Sequence, residues 1–80
     1  MDLWIRSQDR ETLMIIHTLT LATDELGTII GYGIDGKIKV SLGTYKTKER
    51  ALEVLDEIQE RVDFNIKLKV ETCVYEMPLD

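Results

Sequence analysis

Cysteine is the first scarcity: Cys73 is alone, so the chain forms no internal disulfide, and one cysteine does not make a zinc site. Neither staple common in small domains is available. Long apolar runs are also missing. The longest, residues 13–16, is far below the roughly 18–20 residues of a membrane span. No basic segment precedes a hydrophobic stretch in the manner of a signal peptide, so the sequence reads as cytosolic. Positive charge is short as well. Ten Lys and Arg against fifteen Asp and Glu give a net charge of −5, which argues against a generic nucleic-acid binder or a binder of anionic membranes, while leaving room for a local basic site.

What is present suffices for one core. The 80 residues, 44% of them hydrophobic, predict one folded domain over residues 1–80 rather than a disordered chain. Residues 3–7 alternate weakly and end at the turn-like cluster 8–11, giving a short first strand. Residues 12–22 are apolar on both parities and rich in β-branched side chains, the pattern of a strand covered on both sides; a helix over 11–21 competes, and the β-branched density favours the strand. A polar turn follows at 23–27. Two alternating runs then flank Asp35 and Gly36, which predicts a two-residue type I′ hairpin with Tyr32 opposite Lys39, Gly31 opposite Val40, Ile30 opposite Ser41 and Ile29 opposite Leu42. Gly31 and Gly33 leave gaps on the apolar face, where a helix has space to approach.

Ala51, Leu52, Val54, Leu55, Ile58 and Val62 form one stripe, so residues 47–62 are expected to be a helix with Thr47 as N-cap and Glu49 in the first turn. Its solvent face is acidic, and Glu57 with Arg61 has the helpful i,i+4 order. Phe64, Ile66, Leu68 and Val70 alternate with polar residues, predicting a half-buried strand over 64–70, and residues 72–77 continue it until Pro78. The expected fold is α+β: a mostly antiparallel sheet of about four to five strands with one amphipathic helix, about 47–62, on one face. One helix leaves the other face bare, which predicts a homo-oligomer, most simply a two-fold dimer.

Signals for chemistry are weak. Residues 31–36 match G-x-G-x-x-G, but within a strand and its turn rather than between a strand and a helix, so no dinucleotide site is read from them. His17 has no nucleophile or carboxylate at a useful local spacing and is expected to be a packed or interface residue; Cys73 lacks neighbours that would activate its thiol and is expected to be structural. No catalytic residue, metal ligand or cofactor is assigned, and the protein is not expected to be an enzyme. The candidate ligand-binding set is Trp4, Arg6, Ser7, Gln8, Tyr32, Lys39 and Tyr75: aromatic rings to stack on a base, cations for phosphate, and polar groups for ribose hydroxyls.

Three segments, LWIRSQD at 3–9, YKTKERALEVLDEIQ at 45–59 and VYEMP at 74–78, resemble a family of small uncharacterised proteins encoded by phages and prophages of Gram-positive bacteria. The resemblance implies a counter-defence role in the host bacterial cytoplasm. Its first form is a non-enzymatic oligomer that sequesters a nucleotide-derived immune signal, of cyclic-nucleotide or ADP-ribose type, at subunit interfaces. The alternative is an inhibitor or adaptor that docks a host defence protein through the acidic helix or the exposed sheet face. Neither form involves nucleic acid or membrane.

Overall fold

The computed structural model describes residues 2–22 and 27–80. Its elements run β1 (Asp2–Arg6), β2 (Leu13–Ile15), β3 (Thr18–Leu21), β4 (Thr28–Tyr32), β5 (Lys39–Thr44), α1 (Lys48–Lys67) and β6 (Thr72–Glu76). The fold is α+β, with antiparallel-rich sheets and one helix packed against them. Among the described residues there are six strands rather than four to five, arranged in two three-stranded sheets of order β2-β1-β6 and β3-β4-β5. One pairing, β1 with β6, is parallel; the other pairings are antiparallel.

The single strand expected over 12–22 is two strands in different sheets. The transfer falls between adjacent residues, where the Ile16 N–H donates to the Leu3 carbonyl of the first sheet and the His17 N–H to the Tyr32 carbonyl of the second. The apolar character of both parities therefore does not mark a doubly covered strand: Leu13 is exposed, whereas Ile16 is buried at the handover. The turn expected at 23–27 lies, apart from Gly27, outside the described residues.

In the β4–β5 hairpin, Tyr32 faces Lys39, Gly31 faces Val40 and Ile30 faces Ser41, as the alternation predicts. An irregularity between Ile29 and Ile30 then moves Ile29 opposite Gly43 instead of Leu42. The turn is not type I′, because Asp35 keeps a negative φ. The Gly36 N–H closes the turn onto the Gly33 carbonyl, Gly36 alone takes a positive φ of 72°, and the Asp35 carboxylate accepts from the Lys37 N–H. No helix fills the gap over Gly31. A Cβ there would lie 2.6 Å from Leu42 Cδ1 and 2.7 Å from Ile16 Cδ1, so those two side chains occupy the space.

Thr47 caps α1 by accepting from the Arg50 N–H at 3.0 Å. The helix continues to Lys67, five residues past the expected end, and the strand predicted over 64–70 does not form. Termination is a Schellman motif: Lys69 adopts φ 60°, its N–H donates to the Ile66 carbonyl, and the Val70 N–H donates to the Asn65 carbonyl. Apolar alternation over so few residues does not distinguish strand from helix. Here Phe64 and Ile66 stay exposed on the helix surface, while the burying stripe is Ala51, Val54 and Ile58.

That stripe covers the inner faces of both sheets, where Ile5, Tyr75, Ile29 and Leu42 meet it in one core with Tyr45 and Met77. The helix also guards a sheet edge. Arg61 Nη1 donates to the Val74 carbonyl at 3.2 Å and Asn65 Nδ2 to the Thr72 carbonyl at 3.4 Å, on the side of β6 turned away from β1. The match is geometric: four helical residues rise about 6 Å, close to the roughly 6.6 Å between alternate residues of a strand.

Candidate functional site

Strand alternation makes the first sheet two-sided. Ile5, Cys73 and Tyr75 point into the core, so Trp4, Arg6, Val74 and Glu76 belong to the opposite, outer face. Pairing register groups that face into rows across the strands. Ile15, Trp4 and Val74 form an apolar middle row; Leu13, Arg6 and Glu76 form the row on one side; Asp2 and Thr72 form the row on the other. Leu13 is 46% exposed and Val74 53%, and α1 covers only the other side of the sheet. Trp4 is partly exposed at the centre. Between β2 and the β4–β5 turn lies an open groove of about 410 Å³, lined by Trp4, Met14, Ile15, Ile34 and Ile38 and mostly apolar.

The seven residues singled out from the sequence do not gather in one place. Trp4 and Arg6 share the outer face, two residues apart, with Arg6 Nη1 donating to the Arg10 carbonyl. Tyr75 sits on the inner face beside Ile5, 6% exposed, so the first sheet separates it from Trp4. Its hydroxyl donates to Glu57 Oε2 at 2.9 Å, and the Arg61 guanidinium lies 5.6 Å from its ring centre. Burial and the Glu57 carboxylate push the Tyr75 phenol well above the usual tyrosine range.

Ser7 is buried, and its hydroxyl serves the turn after β1, donating to Asp9 Oδ1 at 2.6 Å and accepting from the Thr12 N–H at 3.0 Å. With the Glu11 N–H adding a second bond, that carboxylate is held below its ordinary pKa. Gln8 staples two distant segments: its Oε1 accepts from the Thr44 N–H and its Nε2 donates to the Leu79 carbonyl, both at 2.9 Å. Tyr32 and Lys39 are paired neighbours in the second sheet.

His17 is exposed rather than packed in the protomer, with Nδ1 2.9 Å from the Thr18 hydroxyl. Cys73 is fully buried, as expected of a structural cysteine. The pairing of Glu57 with Arg61 does not form. Arg50 takes that carboxylate at 3.5 Å and Glu53 at 3.9 Å, while Arg61 turns to the β6 edge. A second open groove, of about 600 Å³, follows this seam and is lined by Glu57, Glu60, Arg61, Phe64, Tyr75 and Glu76. Sequence reasoning passed over Tyr45, which is buried, donates its hydroxyl to the Pro78 carbonyl at 2.8 Å and carries the Arg50 guanidinium 5.9 Å from its ring centre. Its position just before the helix cap was the available signal.

Among the described residues no group of three or more His, Cys, Asp or Glu side chains is placed to hold a metal ion, and no helix is long and apolar enough to cross a membrane. No family model matches the chain, and neither a curated protein nor a solved structure matches it.

Proposed function

We propose that the protein is a non-catalytic interaction module whose working surface is the outer face of the β2-β1-β6 sheet. One observation carries this reading: in the row Ile15, Trp4 and Val74, extended by Leu13, Val74 and Leu13 are exposed and Trp4 and Ile15 partly so, while α1 is committed to the opposite side. A contiguous apolar sheet face with a central tryptophan has the make-up of a protein-binding hot spot, because a large ring loses little conformational entropy on burial and excludes much water. The resemblance to small phage proteins supports a host defence protein as the class of partner and the host cytoplasm as the compartment.

Sequestration of a nucleotide-derived signal is the second reading, favoured by Trp4 and Arg6 standing on the same face, a stacking ring beside a bidentate phosphate donor. Ser7, Gln8 and Tyr75 direct their polar atoms to partners inside the protein, so a nucleotide would rely on this pair and on residues supplied across a subunit interface. Native mass spectrometry of untagged protein, purified from cells with an active nucleotide-signalling defence, separates the two. Bare protein is the expected result. An added mass of several hundred daltons per site, lost in Arg6→Ala, would overturn the docking reading. In the same cells, Trp4→Glu should abolish co-purification of a host protein, whereas Glu53→Lys with Glu57→Lys should leave it intact; the reverse ranking would move the working surface to the helix.

A further inference from the structure

From the charges that flank Trp4, we infer that the outer face of the first sheet packs on a second copy of itself, face to face, with the strands of the two copies antiparallel. The inference rests on the working surface proposed above: where no host partner is bound, a second copy of the chain occupies it. Along β1 the outward residues are Asp2, Trp4 and Arg6, an acid and a base placed symmetrically, each about 6.6 Å from the tryptophan. A two-fold axis lying in the sheet plane, along the row Ile15, Trp4 and Val74, sets each of these apolar residues against its own copy. It also brings Asp2 over the partner's Arg6 and Arg6 over the partner's Asp2, and seats Glu76 over the partner's Thr72 hydroxyl. The other in-plane axis, along the strands, stacks Arg6 on the partner's Arg6 and Asp2 on the partner's Asp2. Charge complementarity therefore selects the antiparallel arrangement. The beginning and end of one strand supply both halves of each ion pair, which is the self-complementarity that an isologous interface requires.

The footprint bounds the strength. Two strands of five residues and one of three span at most about 14 by 17 Å, and even with Ile34 and Ile38 added at the margin this is less than the roughly 800 Å² per partner of a standard interface. The dimer is accordingly weak, with a Kd on the order of 100 μM. The beta-edge route to association is closed on β6, where Arg61 and Asn65 hold the outward carbonyls, so the face remains the open route on that side of the molecule.

Sedimentation equilibrium of the full chain over a wide concentration range tests this, with the fluorescence of Trp4, the only tryptophan, followed in parallel. Association with a blue shift of Trp4 emission is expected. Trp4→Glu should weaken it at least 100-fold, and Asp2→Arg or Arg6→Asp alone about 10-fold. The double variant Asp2→Arg with Arg6→Asp should restore parental affinity, which also guards against a single variant that merely misfolds. A parent that stays monomeric at millimolar concentration overturns the self-docking; if Trp4→Glu still loses host-protein capture, the working surface survives with a different occupant. A dimer unaffected by Trp4→Glu overturns the assignment of the interface to this face. Failure of the double variant to restore affinity, with its circular dichroism unchanged, overturns the antiparallel register.

Discussion

Gly27 and Gly36 both adopt left-handed backbone, φ 87° and 72°, yet replacing them with alanine should have different consequences. A non-glycine residue in that region costs about 1–2 kcal/mol. At Gly36 little else is added, since a Cβ there has nothing within 4 Å, and the stiffer unfolded chain returns about 0.4–1 kcal/mol. At Gly27 the Cβ would fall 2.2 Å from the Tyr45 carbonyl oxygen and 3.3 Å from that of Thr47. Both are main chain and do not swing aside as a side-chain tip does. The contact is also a tie, because the Tyr45 N–H donates to the Gly27 carbonyl at 2.8 Å just ahead of the helix cap. Relieving the clash by about 1–3 kcal/mol of backbone displacement, and weakening a hydrogen bond worth about 1 kcal/mol, brings the cost to about 3–6 kcal/mol, of which the stiffer unfolded chain again returns only about 0.4–1 kcal/mol. An 80-residue domain has roughly 4–12 kcal/mol in all. Urea unfolding followed by far-ultraviolet circular dichroism, at a few micromolar where association is negligible, should place the Gly27→Ala midpoint at least about 1 M below that of Gly36→Ala. Equal midpoints would refute the claim that the close approach to Tyr45, rather than dihedral strain, makes Gly27 indispensable.

Tyr75→Phe should cost about 1 kcal/mol by deleting the bond to Glu57, and it should also change the response to alkali. The folded protein holds the Tyr75 proton to a pH above the ordinary tyrosine value of 10.0, so above that pH the native state binds more protons than the unfolded chain. The contribution is full below about pH 10 and is lost as pH rises through the raised value; Tyr45, raised mainly by burial, acts with the same sign. Tyr75→Phe should flatten the fall of the unfolding midpoint above about pH 10, and an unchanged slope would contradict this. Asp9 works in the opposite sense: its depressed carboxyl supports the turn after β1 at neutral pH, and that support fades as pH drops through the acidic range. Asp9→Asn should reduce the acid sensitivity of the unfolding midpoint, and identical acid limbs would count against the turn's dependence on this carboxylate. Finally, Arg61→Ala with Asn65→Ala uncovers the Thr72 and Val74 carbonyls on the β6 edge. At a few micromolar, where the face-to-face dimer is negligible, static light scattering of the folded double variant should exceed that of the parent, and equal signals would show that the edge needs no such cover.

How much of the fold was legible depended on whether a signal was local. Thr47 as a cap, the stripe of Ala51, Val54 and Ile58, and the pairing of Tyr32 with Lys39 all follow from residues a few positions apart, and all three are present. The length of α1 was not local. Its last turns are joined to the β6 edge by Arg61 and Asn65, a match between a helix and a strand that periodicity within residues 64–70 does not encode. Nor was the division of residues 12–22 between two sheets, because the handover consists of two hydrogen bonds, to Leu3 and Tyr32, residues more than ten positions away along the chain. The irregularity between Ile29 and Ile30 belongs to the same class, since nothing in the alternation on either side announces an extra residue.

Within one protomer the candidate residues do not converge, for a reason that alternation alone supplies once register is known. β1 and β6 run parallel with Ile5 beside Tyr75 and Trp4 beside Val74. Successive side chains on a strand point to opposite faces, so the pairing that brings these strands together also sets Trp4 and Tyr75 on opposite sides of the sheet. A ligand touching both would have to pass through a hydrogen-bonded ladder. The sheet thereby assigns separate tasks to two aromatics that composition treats alike. Tyr75, against Glu57 and Arg61, locks α1 to the core, whereas Trp4 faces outward, on the side that α1 leaves uncovered and with an acid and a base at equal spacing on either side.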